Sequence, residues 1–223
     1  MSDESECLGG DGPMAEEQYT PRQQEVLEAA LGLLVEGGEK AITTAGLARA
    51  ANCSKESLYK WFGDREGVLA AMISYQASKV RVAPAGSGAQ RPAESFRADL
   101  VAFGVDLLTV LSGPTSLALN RLAIGQASRE GSRLGDLLVA RGRHAVAARA
   151  KALLEAGRRA GHLRFDDTQA AFDTLYGLVV RDMHVRLMLG ESVPATTGDA
   201  AIAGHVGVAV DQFFRLYGTE QTL

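Results

Sequence analysis

Apolar residues in this chain recur at the spacing of one helical face, between stops made of glycine and proline, and nowhere alternate with a sustained period of two. Thr20-Pro21-Arg22-Gln23 supplies an N-cap threonine, a proline at the first helical position and a glutamine placed to close a capping box. Val26, Leu27, Ala30, Leu31 and Leu34 then share one face until Gly37-Gly38 stops the helix. Thr43 or Thr44 can cap a second helix through Ala51, and Ser54 a third through about Trp61, with Asn52-Cys53 as the turn between them. From Asp64 a longer helix presents Val68, Leu69, Met72 and Ile73 until Pro84 and the small, polar run to Gln90 break it. Five more helices are expected at about 93–112, 114–128, 133–160, 167–189 and 199–217. The predicted class is all-α, with about nine helices.

The expected organisation is a disordered acidic tail over 1–18, a first folded unit over 19–82 and a second over 83–223. Residues 1–20 hold six of the 27 acids and no Lys or Arg, leaving 21 acids against 23 basic residues in the rest. A net charge of −4 argues against wholesale coating of a polyanion, so any contact with nucleic acid must be local. Cys7 and Cys53 cannot build a disulfide framework, and no Cys/His cluster has metal-ligand spacing. The N-terminal residues have no basic and apolar signal pattern, and no apolar run reaches the roughly 18 residues of a membrane span. A cytoplasmic protein without membrane contact is expected.

Residues 44–61, TAGLARAANCSKESLYKW, place two short helices around a tight turn, with Leu47, Ala48, Ala51 and Leu58 on the faces that must meet. That is the arrangement of a helix-turn-helix unit, whose second helix lies in the DNA major groove with its N-terminal residues at the base edges. Ser54, Lys55, Glu56, Tyr59 and Lys60 become the exposed readers. Thr44, Ser54, Tyr59, Lys60 and Arg65 offer the hydroxyl and cationic groups that phosphate oxygens require. Leu58 and Phe62 fill the inward positions and turn Tyr59 toward DNA, while Trp61 either packs against the first helix or reaches the backbone at the groove edge. Glu56 either accepts a bond from a cytosine amino group or points away. Cys53 reads as a plain turn residue.

These residues resemble the TetR family of bacterial transcriptional regulators over about 22–73. The resemblance rests on Gly37, Thr44, Leu47-Ala48, the Asn52-Cys53 turn, the run Ser54-Lys55-Glu56-Ser57-Leu58-Tyr59-Lys60-Trp61-Phe62, and Arg65-Glu66. The chain departs from the family's run at the turn, where Gly-Val often precedes the serine, and at Glu56, where Gly is common. The resemblance implies a three-helix DNA-binding domain, a linking fourth helix, and a C-terminal helical domain that dimerises and holds a small molecule. Leu119 to Ala127 and Gly157 to Phe165 look similar to the regulatory domain of the AefR regulator.

In the second unit no constellation for catalysis stands out, and nothing implies a cofactor. A ligand cavity wants apolar walls with a few polar anchors, for which Phe103, Asn120, Arg121, His144, Phe172, Tyr176, Met183 and His184 are candidates, with Phe96 and Arg181 beside them. In the last helix Ile202, Val206, Val210, Phe213 and Tyr217 form one apolar stripe, while Gly204, Gly207 and Val208 form a second, small-residue surface. Two such surfaces on one helix place a homodimer interface on the final two helices. The expected function is a ligand-responsive repressor binding a palindromic double-stranded DNA operator as a homodimer and released by a small-molecule effector. The rival is a helical enzyme or metabolite-binding protein whose helix-turn-helix is only architectural, which would show turnover of a bound metabolite and no DNA sequence preference.

Overall fold

The computed structural model of the chain describes residues 19–82, 92–128 and 133–219. The acidic tail expected over 1–18 lies outside the described residues. Helix α1 (Pro21–Gly37) opens as its sequence dictates: the Thr20 amide donates to Gln23 Oε1 at 2.8 Å, and the Gln23 amide donates back to Thr20 Oγ1 at 3.3 Å. Helices α2 (Thr44–Ala50), α3 (Lys55–Phe62) and α4 (Arg65–Ser78) are capped by Thr43, Ser54 and Asp64 in turn. Next come α5 (Ala93–Ser112), α6 (Pro114–Gln126), α7 (Leu134–Leu137), α8 (Ala145–Arg159), α9 (Thr168–Val180), α10 (Met183–Met188) and α11 (Asp199–Tyr217). The described residues contain no strand beyond a single isolated bridge between Leu163 and Gly218. The fold is all-α, and among the described residues no single helix is long and apolar enough to cross a membrane.

Two of the expected helices differ in detail. The segment expected at 133–160 is one rod whose middle, Leu138–His144, is wound as a π-helix between α7 and α8. The segment expected at 167–189 breaks at Arg181, which takes a left-handed φ of 49° and separates α9 from α10. Apolar spacing continues across that break, so the sequence does not mark it. At the far end of α10, Arg121 of α6 donates from Nε to Met188 O at 2.9 Å and from Nη2 to Leu187 O at 2.7 Å, satisfying carbonyls there.

The buried apolar side chains of the described residues form two cores. One core joins Val26, Leu27, Leu31, Leu47, Leu58 and Met72 of α1–α4, and also takes in Leu119 and Ala123 of α6 and Leu134 of α7. The second core runs from Ala77 and Val80 through Phe103, Leu154, Val179 and Phe213. Helix α4 therefore contributes to both cores, and α6 packs its buried apolar residues, Leu119 and Ala123, into the core of the helix-turn-helix. A hydrogen bond from Tyr75 Oη to Glu28 Oε1, 2.7 Å long, ties α4 to α1. Burial, with the acceptor Glu28 beside it, pushes the Tyr75 phenol up to about 12. A phenol that holds its proton more tightly when folded contributes stability that is complete below its unfolded value near 10 and is lost as pH rises through about 12. The stability difference between the wild type and Tyr75→Phe, measured by denaturant titration, should therefore shrink between pH 10 and 12. A difference independent of pH over that range would show that the phenol is not held by this bond.

Candidate nucleic-acid interface and ligand cavity

The turn between α2 and α3 is closed by local and distant bonds together. Asn52 supplies a left-handed φ of 47°, the Cys53 amide donates to Ala48 O at 2.9 Å, and Ser54 Oγ accepts the Ser57 amide at 3.0 Å. From α1, Arg22 Nη2 donates to Ala51 O at 2.7 Å and to Asn52 O at 2.8 Å, holding the carbonyls at the end of α2. Arg22 was legible in the sequence only as part of the first cap. Its second role needs a partner about thirty residues away, which no local pattern reveals.

Leu58 and Phe62 point into the core, which leaves Ser54, Lys55, Glu56, Tyr59 and Lys60 exposed along one side of α3. Tyr59 is 57% exposed, a large aromatic in water with no apolar reason to be there. Thr44, Tyr59 and Arg65 meet around one small notch where α2, α3 and the start of α4 converge, so three of the residues suited to phosphate share one place. Arg65 also donates from Nε to Ile42 O at 3.4 Å. Glu56 is exposed in the first turn of α3, where a carboxylate complements the helix N-terminus by about 0.3–1 kcal/mol without any DNA contact. Trp61 is half-buried, lies edge-on to Phe62, and lines a cleft with Tyr19, Gln23 and Arg141 on the side of α1.

The second site is a cavity of about 310 Å³ between the two cores. Helix α4 lines it with Ile73, Gln76, Ala77 and Val80, α5 with Leu107, Val110 and Leu111, and α6 with Ser116, Leu119 and Asn120. Leu138, Val139, Gly142 and Arg143 of the π-helical stretch, Val146 of α8, Phe172 and Tyr176 of α9, and His184 and Met188 of α10 complete the wall. Of the residues expected to line a pocket, Asn120, Phe172, Tyr176 and His184 do so. Asn120 Nδ2 donates to Ser116 O at 2.9 Å. Burial lowers the His184 imidazole and raises the Tyr176 phenol, the latter opposed by the Arg143 charge, so both are neutral near pH 7.

The other candidates lie outside the wall. Phe103 and Met183 are 1% and 3% exposed in the second core, since an apolar side chain serves a core as readily as a cavity. Arg121 caps α10, as above. His144 is exposed and outside the cavity wall, while its equally exposed neighbour Arg143 lines the cavity. Phe96 stacks on His162 with ring centroids 5.5 Å apart, and Arg181 forms the exposed break after α9. Reading the sequence missed Gln76 and Arg143. A glutamine between Met72, Ile73, Ala77 and Val80 on a buried stripe was a usable signal for Gln76, whereas the π-winding around Arg143 has no local signature.

Comparison with known proteins bears on both sites. Residues 26–72 match the family described as bacterial regulatory proteins, tetR family, and residues 98–219 match the AefR-like transcriptional repressor, C-terminal domain. The chain is similar to a TetR transcriptional regulator from Agrobacterium tumefaciens at 56% identity and a TM-score of 0.76, covering 92% of this chain and 98% of that one. It is similar to the flavonoid-responsive regulator FrrA at 25% identity and a TM-score of 0.61, covering 89% of this chain and 98% of that one. A curated relative, the uncharacterized HTH-type transcriptional regulator YdeS of Bacillus subtilis (strain 168), is 29% identical over 68% of this chain and 73% of its own length.

Proposed function

Because this chain belongs to the TetR family of transcriptional regulators, we propose that it is a cytoplasmic bacterial repressor that binds a palindromic operator as a homodimer and leaves it when a small molecule fills the cavity. The observation that carries this reading is the sharing of α4 and α6 between the helix-turn-helix core and the cavity wall. Ile73 and Leu119 belong to both, so a ligand that displaces them moves the packing beneath the recognition helix. A ligand shifts an equilibrium only by its differential affinity for the two states. Here the favoured state is one in which two recognition helices stand at the wrong separation for successive half-sites. The AefR-like match, described as a repressor, supports repression, and the responsiveness of FrrA to flavonoids supports a small-molecule effector.

On α3, Lys55 and Glu56 stand at the N-terminal end where base edges are read. Thr44, Ser54, Tyr59, Lys60 and Arg65 serve phosphates, and Trp61 braces α3 from its inner side. Selection from a random duplex library should enrich an inverted repeat with half-site centres one helical turn, or a multiple of it, apart. On that operator, Lys60→Ala should weaken binding about equally for every base variant and lower the salt slope by about one phosphate. Tyr59→Phe should likewise weaken binding uniformly. A changed base preference in either variant would reassign these residues to base reading. Failure to enrich any sequence, with turnover of a bound metabolite, would instead establish the architectural rival.

A further inference from the structure

The cavity carries two polar side chains that the protein itself leaves without partners. Gln76 is only 7% exposed, and its Nε2 has no hydrogen-bond partner; neither does Nε2 of His184. A buried amide left unsatisfied costs about 1–3 kcal/mol, so these groups mark a place prepared for a polar ligand atom rather than for packing alone.

The charges facing the cavity are equally specific. Among the described residues Arg143 is the only charged one lining the cavity; it stands at the solvent-exposed rim, and no described carboxylate pairs with its guanidinium. That guanidinium lies over the Tyr176 ring, 5.2 Å from the centroid, which keeps it at the cavity wall next to a phenol that can donate a hydrogen bond. His184 and Tyr176 add no charge, because burial keeps both neutral. Every other face is apolar or an uncharged amide or hydroxyl. Arginine with a neighbouring hydroxyl donor is the pairing that recognises an oxyanion through charge-assisted hydrogen bonds.

We propose that the cavity selects an apolar molecule bearing one negative charge, a carboxylate or acidic phenol, with the anion on Arg143 and Tyr176. This rests on the reading that the cavity is the effector site, and it adds the chemical class of the effector. An amine in the same place would face Arg143 with no acid to receive it.

The test uses three probes of one shape: 2-naphthylacetic acid, its amide, and 2-(2-naphthyl)ethylamine, titrated calorimetrically into the full chain. The acid should bind about tenfold tighter than the amide, and the amine more weakly than either. Arg143→Gln should bring acid and amide to within about threefold of each other, chiefly by weakening the acid. Val110→Trp, with its fold checked by circular dichroism, fills the cavity and should weaken all three probes. An acid preference that survives Arg143→Gln, an amine that binds as well as the acid, or no binding of the acid at about 1 mM overturns the charge assignment. Binding of all three unchanged by Val110→Trp would place the probes outside the cavity and overturn the effector-site reading itself.

Discussion

Arginine at both Gly207 and Val208 should yield a monomer that keeps its helicity and loses operator affinity by roughly 10³-fold or more, toward the non-specific level. The inner face of α11 is already occupied: Ile202, Val206, Val210 and Phe213 are buried in the second core, and His205 Nε2 bonds Val179 O at 2.9 Å. The outer face is open and smooth. A Cβ added at Gly204 or Gly207 would meet nothing within 4 Å, nor would one at Gly177 on α9, and Val208 stands 54% exposed. Small residues on two neighbouring helices let a second copy approach closely, and the twofold contact then fixes the spacing of the recognition helices. Arginines there remain solvated in the monomer, so the fold should survive. Light scattering, circular dichroism and a mobility shift separate the outcomes, and a double variant that stays dimeric places the interface elsewhere.

Gly67→Ala should destabilise the protein by about 3 kcal/mol and abolish operator binding, for a reason confined to one junction. Gly67 lies in the first turn of α4, where its amide donates to Asp64 Oδ1 at 2.8 Å. A Cβ at this position would sit 1.8 Å from Phe62 O, a backbone atom that cannot rotate away. To admit it, the end of the recognition helix must move away from α4. Gly32→Ala is the matched control, since a Cβ there meets nothing within 4 Å in the middle of α1. Removing a mid-helix glycine should stabilise by about 0.5–1 kcal/mol. Thermal unfolding and a mobility shift on both variants check the pair. Equal stability of the two variants would mean that the α3–α4 junction yields easily.

The sequence by itself determined the all-α class, the starts of α1 and α3, the stop at Gly38, and the exposed side of the recognition helix. Caps, glycine stops and apolar spacing act between residues at most a few positions apart, so they survive being read without a fold. Tertiary structure alone decided that Arg22 holds the turn after α2, that the Phe62 carbonyl leaves no room for a Cβ at Gly67, and that Arg121 caps α10 instead of facing a ligand. It also decided which apolar residues wall the cavity: Phe172 does and Phe103 does not, although transfer from water favours both alike. Hydrophobicity is non-directional, and a hydrogen bond between residues 66 positions apart has no local trace, so which groups meet was settled only when the helices packed.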